Sequence, residues 1–334
     1  MQTNVMTGYA DGAVSSLMDE LIPPSPVEHE PVMIEQVKEL LDPSPGDVIV
    51  DATLGAGGHA LAILPRILPG GRLIAFDRDT DALSIARGRL AQFESAVTFV
   101  HEDFRDLRAG LENLGIRRVD GLIADLGISS MHVDRPERGF SFSKEGPLDM
   151  RMDQSQRLSA HTLVNTWSIE DLTEILGALG EERFAGRIAR RIVQARDQQE
   201  IQTTAELSEL VRQAVPAQAR YGRIHPATRT FQAIRMAVND ELGALGSLLG
   251  SLHEVLNAQA RAVVISFHSL EDRMVKRTFA QGKRHDIWTV LTKKPLRASD
   301  EEVERNPRSR SAKLRAVQRS AMQSTPAFLS PEES

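Results

Sequence analysis

A glycine-rich turn stands between a predicted strand and a predicted helix, in the stretch "DATLGAGGHALAIL" (51–64). The β-branched run Val48–Val50 precedes it, and apolar residues at helical spacing follow it. Such a turn brings backbone N–H groups close to a ligand, as in dinucleotide and phosphate sites. Gly55-x-Gly57-x-x-Ala60 fits the loose dinucleotide fingerprint. A tight turn that needs only positive φ values is the alternative, so the glycines alone do not identify the ligand.

Aspartates end four successive predicted strands, at Asp51, Asp77, Asp103 and Asp125. Asp77 lies where a carboxylate can accept both hydrogen bonds of a ribose diol, as it does in NAD sites and in S-adenosylmethionine (AdoMet) sites. Phe104 can stack on an adenine ring. A single aspartate in such a place is often a helix cap or a turn former. Four together favour a cationic ligand over a pyrophosphate, and AdoMet carries both a sulfonium and an ammonium group.

The alternation of strands and helices predicts how these side chains are positioned. The predicted strands are Val48–Asp51, Leu73–Asp77, 96–104 and Gly121–Asp125, followed much later by Ala262–Phe267 and a last candidate at 311–320. Strands that alternate with helices form βαβ units, and therefore a parallel, doubly wound sheet. Ligands of such sheets lie at the carboxyl ends of the strands. The sequence therefore predicts an α/β fold with the aspartates gathered at one edge.

The alternation stops after residue 130, which predicts a second domain within the first. A long polar stretch with glycine and proline comes next, and helical patterns then run from about residue 160 to 215. One further helix is predicted around 227–256. The predicted parts are a disordered acidic tail (1–27), a discontinuous α/β domain (28–130 and 226–320), an inserted all-helical domain (131–225) and a flexible C-terminus (321–334).

The composition excludes several classes of protein and site. There is no cysteine, which excludes disulfides, thiolate nucleophiles and cysteine-bound metals and fits a reducing cytoplasm. Neither an apolar run of about 20 residues nor a signal peptide is found, so we expect a soluble, cytoplasmic protein without membrane contact. No convincing metal-ligand spacing occurs, and no metal is predicted. The net charge is −6, but residues 305–319 carry six basic residues and no acid, as a local nucleic-acid contact would require.

Long and compositionally unusual strings run through the chain from residue 29 to 315. They are "HEPVM" (29–33), "DATLGAGGH" (51–59), "AFDRD" (75–79), "DLGISS" (125–130), "ERGFSF" (137–142), "GPLDMRMD" (146–153), "GEERFAGRIARRIV" (180–193), "HPATRTFQAIRMAVNDEL" (225–242), "ISFHSLEDRMVKR" (265–277) and "NPRSRSAKLR" (306–315). In this order they closely resemble the RsmH (MraW) family, the 16S ribosomal RNA cytidine N4-methyltransferases. The resemblance implies a class I (Rossmann-like) AdoMet-dependent sheet. It also implies methylation of a cytidine in the decoding region of the small ribosomal subunit.

The family resemblance also implies which residues bind the cofactor. The AdoMet site would be made by Gly57, Gly58, His59, Asp77, Phe104 and Asp125. A further position of the family pattern is a glutamine, and the aligned residue here is His132. Both side chains can donate one hydrogen bond, but histidine is shorter and can be protonated.

Three residues are candidates for a catalytic role at the cytidine amine. Asp125 stands where amino-methyltransferases that act on DNA carry their acceptor motif, so it either accepts the N4 hydrogen bonds or binds AdoMet, and we favour AdoMet binding. Asp149 either contacts the base or pairs with an arginine, Arg151 or Arg138. His268, at the end of a predicted strand, is the third candidate, although Ser269 and the acids after it can equally cap the next helix.

The predicted RNA contacts lie on the helical insertion, which we expect to act as a substrate lid. Arg183, Arg187 and Arg191 share one face of a predicted helix, and His225 and Arg229 stand near the end of the insertion. A solvated charged face is the alternative. The oligomeric state stays open, with a homodimer as one alternative. The rival functions are an NAD-dependent oxidoreductase, a non-catalytic adaptor, and the same methylation on another nucleic acid.

Overall fold

The computed structural model of the protein describes residues 30–220 and 225–321. The predicted tail 1–27 lies outside these ranges, and so does the predicted flexible C-terminus apart from Ala321. Within them, one seven-stranded sheet has the order β3-β2-β1-β4-β5-β7-β6. Its strands are β1 (Val48–Asp51), β2 (Arg72–Phe76), β3 (Val97–Val100), β4 (Val119–Asp125), β5 (Leu256–Ser266), β6 (Trp288–Val290) and β7 (Lys313–Arg319). The first five are parallel, and β7 is antiparallel to both of its neighbours.

Helices fill the connections between the strands. They are α1 (Ile34–Leu41), α2 (Gly58–Ile67), α3 (Thr80–Arg89), α4 (Leu107–Asn113), α5 (Ser130–Asp134), α6 (Ala160–Thr166), α7 (Ile169–Ala178), α8 (Ala185–Arg196), α9 (Thr204–Ala214), α10 (Ala217–Arg220), α11 (Ala227–Asn239), α12 (Glu241–Val255), α13 (Ser269–Arg284) and α14 (Asp300–Arg305). Short 3-10 turns are found at Ala91–Ala96, Phe104–Asp106, Pro136–Arg138 and Pro307–Ser311. No helix of the described ranges is long and apolar enough to cross a membrane.

Both faces of the parallel strands are buried. Val50, Ile74 and Leu122 are register partners and belong to a cluster that includes residues of α4, α12 and α13. Ile49 and Leu73 pair one position earlier and belong to a second cluster, with residues of α1, α2 and α3. Successive side chains of a strand point to opposite faces, so helices cover the sheet on both sides, as a parallel sheet requires. The predicted α/β fold is confirmed.

A third hydrophobic cluster lies between β4 and β5 in the chain, and all of its buried members fall between Phe140 and Val238. We call residues 140–238 the helical cluster. The boundaries of the predicted insertion, 131 and 225, stay a prediction, but α11 begins after them and places Phe231 and Ile234 in this core.

Two predictions of secondary structure are corrected. The helix expected around 227–256 is two helices, because Asp240 between them adopts a left-handed conformation (φ 45°). Strand β6 was not predicted, since three residues at a sheet edge are too few to show a periodic pattern.

Candidate active site

The glycine turn is shaped by backbone geometry that other residues would strain. Gly55 (φ 51°) and Gly57 (φ 78°) are left-handed, and Gly57 is the N-terminal cap of α2. A Cβ atom on Gly58 would lie 2.4 Å from Pro31 Cγ. The turn is joined to the next strand, because the Gly55 N–H donates to Asp77 Oδ2 at 2.8 Å.

Asp77 directly follows β2 and supports the loop after it. Its Oδ1 accepts the Asp79 N–H at 2.9 Å, so each oxygen already has one backbone donor. Burial raises the pKa of Asp77, against the effect of the two amide hydrogen bonds. A carboxylate oxygen has a second lone pair, so the side chain can still accept the two hydroxyls of a ribose.

Two more carboxylates, Asp51 and Asp125, lie at the ends of the neighbouring strands β1 and β4, each with a buried oxygen that has no hydrogen-bond partner among the described residues. Asp51 is 1% exposed, and only its Oδ1 has a donor, the Thr53 N–H at 3.1 Å. Asp125 leaves Oδ1 unpartnered, and its Oδ2 lies 3.7 Å from His59 Nδ1. The Asp125 N–H donates to Thr53 Oγ1 at 2.6 Å, so Thr53 ties the ends of β1 and β4 together.

Burial dominates the electrostatics of these two carboxylates and of His59. Burial raises the pKa of Asp51 to about 7, and burial together with the nearby Glu271 raises the pKa of Asp125 to about 7. Burial also lowers the pKa of His59, whose Nε2 lies 2.9 Å from the Val32 carbonyl oxygen, so the neutral ring donates there and turns Nδ1 towards Asp125. Unpartnered buried carboxylate oxygens fit a ligand that brings its own cationic groups, and AdoMet brings two.

The adenine side of the site differs from the expected acidic edge. The Asp103 carboxylate accepts Arg78 Nη1 at 2.8 Å and the Arg105 N–H at 2.9 Å. Its charge is therefore paired, whereas Asp51, Asp77 and Asp125 have no lysine or arginine ion-pair partner among the described residues. Phe104 is half-buried and packs against the sheet core, directly after Asp103. Stacking of the Phe104 ring on the adenine stays a prediction.

His132 lies next to the cofactor side, within a buried polar cluster. Its Nε2 is 2.8 Å from Asp79 Oδ2, and its Nδ1 accepts the Ser129 N–H at 3.2 Å. Arg138 Nη2 donates to the same Asp79 oxygen at 2.9 Å. Burial acts to raise the pKa of Asp79, but these two partners outweigh it and hold that pKa well below its usual range. Both ring nitrogens of His132 are engaged, so direct contact with AdoMet stays a prediction that would need them to be released.

The profile of the MraW methylase family matches residues 26–320. The chain belongs to this family. It is 47% identical over 305 residues to the ribosomal RNA small subunit methyltransferase H of Symbiobacterium thermophilum, covering 86% of this chain and 96% of that protein. Its identity to the protein of the same name from Sorangium cellulosum is 50% over 299 residues, covering 89% and 93% of the two chains. The predicted RsmH (MraW) membership is confirmed.

Two of the catalytic candidates are engaged in local contacts in this MraW family member. Asp149 forms a two-pronged ion pair with Arg151, with Nε–Oδ1 at 2.9 Å and Nη2–Oδ2 at 2.7 Å, which is the arginine-paired alternative. His268 caps α13, and its Nδ1 faces the Glu271 N–H at 3.4 Å. Its Nε2 lies 2.9 Å from Glu271 Oε1 but outside hydrogen-bond geometry. Asp125 Oδ1 and His268 Nε2 are the buried side-chain atoms of these candidates that have no hydrogen-bond partner among the described residues.

Glu241, His268 and Glu271 come close enough to hold a metal ion, with one candidate ligand atom from each within 4.8 Å of the others. Arg235 already binds both oxygens of Glu241, at 2.7 Å each. The three residues therefore form a buried charge network in which one candidate metal ligand, Glu241, is already bound by Arg235.

The RNA candidates fall into two neighbouring groups on the helical cluster. Arg183 and Arg187 are exposed at the start of α8, and Arg191 on the same helix donates to Gln213 at 2.7 Å. The apolar side of α8, formed by Phe184, Ile188 and Ile192, packs into the helical cluster. Arginines therefore lie on one face of α8 and apolar residues on the other, as the sequence predicts.

The second group stands at the start of α11. His225 is exposed and stacks on Phe142 with ring centroids 4.6 Å apart. Arg229 is exposed and donates to the Glu181 carbonyl at 3.2 Å, which brings it beside the loop that leads into α8. The basic segment 305–319 contributes less free charge than its composition suggests, since Lys313 and Arg315 both pair with Asp272.

Sequence reasoning missed three residues that the geometry makes prominent. The sequence places Asp51 at a strand end but does not assign it to the cofactor. It does not single out Arg78, and it offers Arg138 only as a partner of Asp149, although Arg78 contacts Asp103 and Arg138 contacts Asp79. A signal for Asp51 was present in its position, since it is the last residue before the glycine turn.

Proposed function

We propose that this protein transfers the methyl group of AdoMet to the exocyclic N4 amine of a cytidine in 16S ribosomal RNA. The observation that carries the proposal is the pair of buried, unpartnered carboxylate oxygens of Asp51 and Asp125 beside Asp77. They occur in a chain of the MraW family, at 41–50% identity to small subunit ribosomal RNA methyltransferases.

The order of the strands suggests how AdoMet lies along the sheet edge. The sheet runs β3, β2, β1, β4 and β5. Phe104 follows β3 and would hold the adenine, while Asp77 follows β2 and would hold the ribose. The backbone of Gly57, Gly58 and His59 would face the methionine end, and Asp51 its ammonium group. This order points the methyl group towards the ends of β4 and β5, where Asp125 and His268 lie.

AdoMet supplies a methyl group bound to a positively charged sulfur. Transfer of this methyl group to N4 would be balanced by cleavage of the carbon–sulfur bond, with its electron pair left on sulfur, and by the loss of one proton from N4. The cytidine amine is a weak nucleophile because its lone pair is delocalised into the ring. Asp125 Oδ1 would accept an N4 hydrogen bond, which localises that lone pair and stabilises the charge that develops on nitrogen. A carboxyl group with a pKa of about 7 is also suited to taking up the released proton.

The substrate side of the proposal rests on exposed cationic and aromatic groups. Arg183, Arg187, Arg191 and Arg229 would contact phosphates, and His225 would stack or bond at the same surface. A cytidine must be unpaired or flipped out to reach Asp125, and the helical cluster would close over it. We keep a cytoplasmic location, a homodimer and the direct roles of Asp149, His132 and His268 as further predictions. Size-exclusion chromatography with light scattering tests the homodimer.

The test is methyl transfer to ribosomal particles. Small subunits from a strain that lacks the protein are incubated with AdoMet that carries a labelled methyl group. Digested nucleosides are then analysed by mass spectrometry, and we expect labelled N4-methylcytidine from 16S RNA. The Asp125→Asn variant is measured in parallel, and we expect it to transfer little label; its AdoMet affinity in calorimetry separates the two roles, since a retained affinity indicates an N4 acceptor and a lost affinity an AdoMet ligand.

Each rival function predicts a different result in these assays. Label in another RNA would show the same chemistry on a different substrate. NAD binding without AdoMet binding would indicate the oxidoreductase. AdoMet binding without label in naked RNA, subunits or whole ribosomes would indicate the adaptor.

A further inference from the structure

Arg78 joins the cofactor side of the sheet to the end of α11. It directly follows Asp77, and its side chain is 14% exposed. One guanidinium nitrogen, Nη1, donates to Asp103 Oδ2 at 2.8 Å and to the Asn239 carbonyl at 3.0 Å. The other, Nη2, lies 2.7 Å from Met152 Sδ. A single side chain thus contacts three segments that are distant in sequence.

Asn239 fixes the far side of this contact. Its side chain is 2% exposed and accepts the Met152 N–H at 2.8 Å. Its amide nitrogen donates to the Met150 carbonyl at 2.7 Å and to the Arg235 carbonyl at 2.8 Å. The last turn of α11 is therefore bound to residues 150–152. A buried amide with all of these partners satisfied has one defined position.

A second arginine, Arg138, also connects residues 150–152 to the loop after β2. Arg138 is 2% exposed, and its Nη2 donates to Asp79 Oδ2 at 2.9 Å and to the Met152 carbonyl at 3.1 Å. Asp79 in turn donates its N–H to Asp77, the proposed ribose ligand. Residues 150–152 are therefore connected in two ways to the residues that follow Asp77, the proposed ribose contact. Arg78 contacts Met152 directly, and Asp79 is connected to Met152 through Arg138.

Helix α11, whose end these hydrogen bonds hold in place, also carries proposed RNA contacts. Helix α11 begins beside His225 and carries Arg229, and its Phe231 lies in the helical cluster. Directly after Asn239 the helix breaks at Asp240, whose carboxylate pairs with Arg105 at 3.0 Å. Asp103, through Arg78, and Arg105, through Asp240, are thus both linked to the junction between α11 and α12.

We propose that Arg78 is a positioning residue that couples the binding of AdoMet to the binding of RNA. The inference rests on the proposed function. A ligand bound by Asp77 and Phe104 would restrain the residue before Arg78 and also Asp103, which Arg78 contacts. Through its hydrogen bond to the Asn239 carbonyl, Arg78 would extend this restraint to the end of α11. Coupling of this kind is reciprocal, so each ligand tightens the other by the same factor.

The test measures binding of small subunits, prepared from a strain that lacks the protein, with and without saturating S-adenosylhomocysteine. This product analogue of AdoMet allows no turnover. We expect at least about a fivefold tightening in the unaltered protein, the lower end of ordinary coupling. In Arg78→Met, which keeps the stem but loses every donor, the ratio should fall to about one. Arg72→Ala is the matched control, because Arg72 is an exposed arginine at the opposite end of β2 whose donor contact is Thr98.

A ratio that is the same in Arg78→Met as in the unaltered protein would overturn the proposal, and so would the absence of coupling in the unaltered protein. If Arg78→Met does not fold, Arg78→Lys keeps the charge opposite Asp103 with fewer donors, and an intermediate ratio is expected. Unchanged coupling with weakened cofactor affinity alone would show that Arg78 merely supports the adenine pocket. Failure of the proposed function is seen separately, as absence of methyl transfer by the unaltered protein.

Discussion

Replacing Asp51 by asparagine should stabilise the ligand-free protein at neutral and alkaline pH while destroying its cofactor site. Asp51 is 1% exposed, and its Oδ2 lacks a donor among the described residues. Folding therefore removes a carboxylate from water without replacing all of its hydrogen bonds, which is costly when the group is charged. Asparagine has the same shape, can still accept the Thr53 N–H, and carries no charge.

The size of the effect follows from the pKa of Asp51, which rises from 3.8 to about 7 on folding. At 1.36 kcal/mol per pKa unit, this difference corresponds to about 4 kcal/mol. Between these two values the folded protein binds a proton that the unfolded chain has lost, so the free energy of unfolding decreases as pH rises. The penalty is absent below the unfolded pKa and complete above about pH 7. We expect a gain of about 2–4 kcal/mol in Asp51→Asn above pH 7, because the new amide N–H groups also need partners.

The measurement is urea unfolding of both proteins between pH 4 and 9, without AdoMet. The difference between the two free energies of unfolding should be small near pH 4 and should widen as pH rises to about 8. Asp79→Asn is the matched control of opposite sign. Its pKa lies below the usual range in the folded state, so its stabilising contribution is present above about pH 4 and is lost as pH falls. That variant should be less stable than the unaltered protein at neutral pH.

A difference for Asp51→Asn that does not change with pH would refute the reasoning, since it would show that Asp51 ionises without penalty in the folded chain. Calorimetry completes the experiment. The more stable variant should bind AdoMet much more weakly, because the ammonium group of the ligand would lose its carboxylate partner. Stabilisation with unchanged affinity would remove Asp51 from the cofactor site and leave Asp125 as the acceptor of positive charge.

Three shorter predictions concern the same surfaces. Asp77→Ala should weaken AdoMet binding by about 1–3 kcal/mol in calorimetry and lower the melting temperature, since the carboxylate also holds two backbone amides; unchanged affinity would make Asp77 structural. Gly58→Ala should cost about 1–3 kcal/mol of unfolding free energy by its clash with Pro31, and normal stability would show that the turn can shift. Arg187→Ala with Arg191→Ala should lower RNA affinity and reduce its salt dependence, whereas an unaltered slope would assign both to a solvated face.

Most of the sheet could be predicted from the sequence because its strands are short apolar runs that end in turn residues. The strand Val48–Asp51 is found as predicted, and the strand expected at Leu73–Asp77 is shifted by one residue, to Arg72–Phe76. Positive φ values at Gly55 and Gly57 could also be predicted, because glycine is the residue type that adopts them most readily in a tight turn between a strand and a helix. These features depend on local chemistry, which a sequence displays directly.

The break at Asp240 and the role of Asn239 could not be predicted, since both depend on contacts between distant segments. The residues from 227 to 256 show uninterrupted helical spacing, and Asp240 has no proline or glycine on either side. What places the break is the packing of α11 in the helical cluster and of α12 on the sheet, with Asn239 bonded to Met150 and Met152. Tertiary contacts of this kind override a local pattern.

Which strand-end carboxylates are free for a ligand depends on where arginines fall. Asp103 pairs with Arg78, from the turn after β2, at 2.8 Å, whereas Arg105, two positions after Asp103, lies 3.5 Å from the same oxygen. Neither Asp51 nor Asp125 has a lysine or arginine in the nine residues that follow it, and each keeps an unpartnered buried oxygen. The arginine that pairs most closely with Asp103 follows the neighbouring strand β2, so proximity in sequence does not decide which carboxylate an arginine reaches. The absence of nearby basic residues marks Asp51 and Asp125 as candidates for binding a cationic ligand, whereas the pairing of Asp103 depends on how one turn packs against the next, which the sequence does not display.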